Sequence, residues 1–264
     1  MRARNPIVLL LAGLLATGAC GASLSKKSGD RQPTPTVSAS VTTRLSPSPP
    51  AGSTSSASPT PSPSASSSSG AQPAFAGSSA RIDATTRAAM LASGSWRRGD
   101  PVAIADLRLL TLSYWGFDHR AHTGQLIVNA RVASDVLCAM KKIYEARFPI
   151  RRMELIDAYG ADDDRSMAAD NTSAYNGRKV MGSTVWSRHA YGLAIDIDPL
   201  ENPELLDGKV YPPKGARFAD RSLRLPGMIR RGDVVVRAFA AIGWEWGGDL
   251  HSPKDYQHFS QSGD

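Results

Sequence analysis

The chain has 264 residues, with 31 Lys and Arg against 24 Asp and Glu for a formal net charge of +7, and it carries two cysteines. That length supplies a real hydrophobic core, and two cysteines exclude a disulfide-dense scaffold. The basic residues are scattered, with no dense Lys/Arg helix and no array of stacking aromatics, which argues against a nucleic-acid partner.

The first twenty residues have the order of an export signal: basic Met1 to Pro6, the apolar run Ile7 to Leu15, then small residues ending at Cys20. The run is too short for a membrane span. Cys20 after Gly18-Ala19 resembles a bacterial lipoprotein cleavage site, so residues 1–20 are expected to be a signal peptide with Cys20 as the lipidated residue; ordinary secretion is the alternative. Residues 21–80 are dominated by Ser, Thr, Pro, Ala and Gly and read as a disordered tether. About fifty such residues span on the order of 40 Å, enough to hold a domain off a membrane and within reach of the wall.

Residues 81–264 are expected to form one domain without internal repeats. Asp83 to Ala92 reads as a helix with Asp83 at its N-cap. Leu107 to Trp115 and Gln125 to Val132 read as strands of a hairpin, with the turn in His119 to Gly124. Ser134 to Arg147 has helical periodicity in Leu137, Met140 and Tyr144, with Ser134 as its cap and Pro149 as its stop. Cys138, the domain's single cysteine, lies in that pattern and reads as a small apolar residue. Met153 to Ile156 and Leu193 to Ile197 add strands. Asp233 caps a last helix carrying Val235, Ala238, Phe239 and Ile242 and ending at Gly243. Trp244 to Gly248 reads as a short strand entering a tight turn, with Trp244 in the core and Trp246 in the core or on a cleft wall. The fold class is α+β, a mainly antiparallel sheet with helices on one side.

The chemistry concentrates near the C-terminus. His189, Asp196 and His258 are three residues of the types that hold a catalytic zinc, which takes three protein ligands and leaves its fourth position to water. Residues seven apart on a regular strand face opposite ways, so His189 and Asp196 cannot share one flat strand. Gly192 permits a break that leaves His189 on the preceding loop. Asp255, three residues before His258, is the candidate general base, with Glu245 a less favoured competitor. Asp198 is either a support for Asp196 or a strand-end turn residue. His119, His122 and His251 read as loop or surface residues.

The order His-x6-Asp, then Trp-Gly-Gly and Asp-x-x-His, resembles the zinc DD-peptidases of bacterial cell walls. The stretch Asp170 to Arg178 followed by Ser187 to Pro199 is similar to their VanY-like D-alanyl-D-alanine carboxypeptidase branch. The resemblance runs from about Leu107 to the C-terminus. It implies a hedgehog/DD-peptidase-like fold, zinc held by His189, Asp196 and His258, and Asp255 as catalytic base. Related peptidases often carry an Arg and a Gln upstream of the first ligand, where this chain has Asp157 to Asp164. Arg178, whose guanidinium can grip a carboxylate through two parallel hydrogen bonds, is the substitute substrate contact, with Ser187 beside it.

The expected function is zinc-dependent hydrolysis of peptidoglycan stem peptides by a monomeric, extracytoplasmic enzyme held at the membrane through Cys20, with a terminal D-alanine as leaving group. An L-alanyl-D-glutamate-type endopeptidase is the alternative within the family. A wall-binding module that keeps zinc without cleaving is the alternative outside enzymology.

Overall fold

A computed structural model describes residues 73–261. The expected export signal, Cys20 and most of the 21–80 segment lie outside the described residues. Within them, nine strands form three separate three-stranded antiparallel sheets. The α+β class therefore holds, while the expectation of one main sheet is corrected: the strands after residue 190 are two or three residues long and pair in local groups. No helix among the described residues is long and apolar enough to cross a membrane.

The first sheet has the order β1 (Gly77–Arg81), β2 (Leu107–Trp115), β3 (Ala121–Asn129). β1 starts before the expected linker end at residue 80, because small residues with exposed side chains still donate and accept along β2, Gly77 opposite Leu112. β3 starts four residues before Gln125, where polar residues extend the ladder without an apolar signal, and Ala130–Val132 leaves it as a 3-10 turn.

Helix α1 (Ala84–Ser93) is capped as expected, the Asp83 carboxylate accepting from Thr86 N at 2.7 Å. Helix α2 (Ala133–Glu145) is not capped by Ser134: Val132 holds the cap position, and Asn129 instead accepts from Arg131 N in the preceding turn. Cys138 lies half-buried on α2. Met153 to Ile156 is no strand; Met153 makes one isolated bridge to Thr172, and Ile156–Tyr159 is a 3-10 turn.

The core fills the space between the first sheet and two helices. Val136, Ala139, Met140 and Ile143 of α2 pack with Leu110, Leu112, Leu126 and Val128 of the sheet and with Val235, Ala238 and Phe239 of α4 (Val234–Ala240). Asp233 caps α4 by accepting from Val235 N and Val236 N. Phe239 stacks on Phe259 at 4.5 Å between ring centres, and Trp244 and Trp246 join the same core. This contact fixes the strand bearing Phe259, and that strand carries a candidate ligand on its other face.

Candidate metal centre

The second sheet joins β4 (Ala194–Asp196), β9 (His258–Ser260) and β7 (Glu245–Trp246) in the order β4, β9, β7. Asp196 pairs directly with His258. Directly opposed residues of antiparallel strands project from one face, so the register itself brings the two side chains together. Ile195 and Phe259, one residue along each strand, point into the core.

His189 arrives from outside the sheet, on the 3-10 turn Arg188–Tyr191. Ser187 caps this turn, its hydroxyl accepting from His189 N at 3.3 Å. Gly192 ends it at φ 65°, and a side chain there would put Cβ 2.6 Å from Asn129 N. The break expected at Gly192 is thus what allows a ligand pair seven residues apart. Segment 173–176 runs alongside, Ser173 bridging Asp196, and the His189 Nδ1–H donates to the Ala174 carbonyl at 2.5 Å. Ala174, within the Asp170 to Arg178 stretch, was not singled out from sequence because a backbone carbonyl carries no residue signature.

A carbonyl only accepts, so His189 Nδ1 holds the ring proton and Nε2 presents its lone pair inward. Nε2 lies 3.1 Å from Asp196 Oδ2 and 3.3 Å from His258 Nδ1, which is 2.9 Å from Asp196 Oδ1. The three donor atoms lie within 4.8 Å of one another, and all three residues are buried. Lone-pair atoms this close require a shared proton or a cation, and the His2Asp set suits zinc. Burial disfavours a charged imidazole, yet the Asp196 carboxylate leaves the His189 pKa raised. Burial likewise opposes ionisation of Asp196, but His189 and His258 hold it far below the usual carboxylate range.

Asp255 lies on β8 (Lys254–Asp255), in the third sheet with β5 (Glu204–Leu206) and β6 (Lys209–Tyr211). Burial and the carboxylates of Asp196 and Glu204 push its carboxyl up to about 8 against the pull of His258. Its Oδ1 and His258 Nε2 are buried with no hydrogen-bond partner within the protein, as in groups placed to bind something else. The Trp-Gly-Gly turn supports this pair: a Cβ on Gly247 would lie 2.4 Å from the Asp255 carbonyl and 3.2 Å from His258 Cβ, and Trp246 Nε1 donates to Tyr256 O at 2.9 Å. Glu245 is exposed on β7, where it pairs with Ser260.

Arg178 pairs with Asp163 of α3 (Asp163–Ala168) at 2.7 Å, and its buried Nε has no partner. Asp198 takes the turn role. It leaves the strand at φ 44°, accepts from Arg151 N at 2.8 Å, and bonds to no ligand candidate; burial and Asp170 hold its carboxyl well above the usual range. His119, His122 and His251 are exposed, His122 paired with Asp118 at 2.9 Å. The β5–β6 hairpin was missed from sequence, although Asp207-Gly208 between two short β-prone runs is its signal.

Comparisons with curated proteins and with solved structures return no match. Residues 181–261 match the family model described as D-alanyl-D-alanine carboxypeptidase, so the segment holding all three ligand candidates and Asp255 carries the sequence pattern of that peptidase family, as the motifs implied.

Proposed function

We propose that this protein is a zinc-dependent D-alanyl-D-alanine carboxypeptidase acting on peptidoglycan stem peptides, with the hedgehog/DD-peptidase-like fold that the family resemblance implies. The observation that carries this reading is the convergence of three lone-pair atoms within 4.8 Å inside the segment that matches the peptidase family. His189 Nε2, Asp196 and His258 Nδ1 would hold the metal. Zinc, when bound, supplies Lewis acidity toward a carbonyl and lowers the pKa of water to about 7.

The protein's own groups do the rest. Ala174 and Ser187 keep the His189 ring turned inward. Asp255 takes the proton of the attacking water and returns it to the leaving amine, a role suited to a buried carboxyl whose Oδ1 has no hydrogen-bond partner within the protein. Arg178, through its unpartnered Nε, receives the terminal carboxylate of the substrate. Placement outside the cytoplasm, with a lipid anchor at Cys20, follows from the signal-like N-terminus, and we read the enzyme as a monomer.

A second reading is favoured by the Arg178–Asp163 ion pair. A guanidinium already neutralised at 2.7 Å is a weaker clamp for a chain terminus, which suits an endopeptidase cutting within the stem. Incubating the protein with purified peptidoglycan fragments, with and without chelator, separates the readings by product mass. Chelator-sensitive loss of one alanine is the expected result. A larger cut assigns an endopeptidase, and no mass change by zinc-loaded protein overturns the peptidase assignment in favour of a binding module.

A further inference from the structure

We propose that Glu204 is a specificity-determining residue that receives a primary ammonium group of the substrate, on the reading of the site as a peptidase. Glu204 opens β5, the middle strand of the third sheet, and pairs with Tyr211 on one side and Asp255 on the other. Direct opposition places Tyr211, Glu204 and Asp255 in one row on one face. Asp255 responds to the charges of His258 and Asp196 across that face. Glu204 responds to the same two groups and also to Arg178 and Asp163, so its carboxylate borders the same centre from the adjoining strand.

The neighbouring charges are satisfied within the protein, Asp196 by the two histidines and Asp163 by Arg178. Two carboxyls are not: Asp255, whose buried Oδ1 has no partner, and Glu204, which is half-buried and whose carboxylate no hydrogen bond or ion pair reaches among the described residues. Burial and the Asp196 charge make its ionised form costly, a cost that a cation arriving with the substrate would offset. A metal at the three ligands neutralises Asp196 but gives Glu204 no hydrogen-bond donor. A substrate ammonium supplies three donors and a positive charge. The site would then carry one acidic and one basic recognition group, Glu204 and Arg178, beside the same metal position.

Two sources present that chemistry: the side-chain amine of a diamino acid next to the cleaved dipeptide, or a free α-amine. Three acyl-D-alanyl-D-alanine peptides separate them, carrying Nα-acetyl-lysine, Nε-acetyl-lysine or doubly acetylated lysine. With the zinc-loaded full chain, kcat/KM for one of the two ammonium peptides should exceed that for the neutral peptide by about tenfold, the discrimination of one charge-assisted hydrogen bond. Glu204→Gln should bring that ratio toward one, Glu204→Lys below one, and Glu204→Asp should restore part of it. The ratio is internal to each variant, so partial unfolding does not mimic the effect. Equal kcat/KM for all three peptides in the wild type, or an unchanged ratio in Glu204→Gln, overturns the assignment. Calorimetric binding of the same peptides to zinc-loaded protein reads the ammonium preference even where nothing is cut, which keeps failure of the peptidase reading distinct from failure of Glu204.

Discussion

At the scale of single residues, the chemistry turns on which groups hold protons. Asp255 sits among burial and like charges that push its carboxyl up to about 8 from an ordinary 3.8. Between those values the metal-free folded state keeps a proton that the unfolded chain has released, so stability falls as pH rises through about 4 to 8. Asp255→Asn removes that cost. Urea midpoints of the metal-free proteins should diverge in the variant's favour from pH 5 to 8, and parallel curves would show that the carboxyl is not raised. For activity, Asp255→Ala should lower kcat by roughly 10²–10⁴, the usual worth of a general acid–base, while zinc content stays at one per chain. Loss of zinc in that variant would instead make Asp255 a ligand.

At the scale of elements, the site is an intersection of short pieces, each held by one local rule. The β4–β9 register opposes Asp196 and His258, a capped 3-10 turn delivers His189, and the Trp-Gly-Gly turn seats Asp255. Gly247 is the joint that meets the backbone of Asp255. Gly247→Ala forces a Cβ to 2.4 Å from the Asp255 carbonyl and should displace β8 relative to β9. The expected outcome is a loss of kcat of at least about 100-fold, as a misplacement near 1 Å produces. Far-UV circular dichroism should stay unchanged, since helices α1, α2 and α4 do not include the β8–Gly247 joint. Wild-type kinetics in that variant would mean the turn yields without moving the base.

At the scale of the whole molecule, a metal held by the three ligand candidates would tie the second sheet to the 3-10 turn through residues far apart in sequence, from 189 to 258. A ligand bound only by the folded state stabilises it by about 2.7 kcal/mol at a hundredfold excess over its Kd. For a domain of this size that is a Tm rise of roughly 5–10 °C, measured by differential scanning calorimetry with and without zinc. His258→Ala should abolish most of the rise, and an undiminished rise would place the metal elsewhere.

The sequence by itself determined the candidate ligand set and the strongest elements. His189, Asp196, His258 and Asp255 are legible as candidates because two of the chain's five histidines stand in a fixed order with two carboxylates, and β2, α1 and α4 because periodicity and an aspartate cap suffice locally. Other features were decided only in three dimensions. The three-sheet arrangement depends on which two- and three-residue strands meet, and such strands have too few side chains to carry a period. The Ala174 carbonyl orients His189 through backbone, which every residue shares. The partnering of Arg178 with Asp163, and the isolation of Glu204 opposite Asp255, arise between segments whose separation in sequence says nothing about charge neighbours. Ligand identity is a property of side-chain type, whereas the neighbours that tune each ligand are a property of packing.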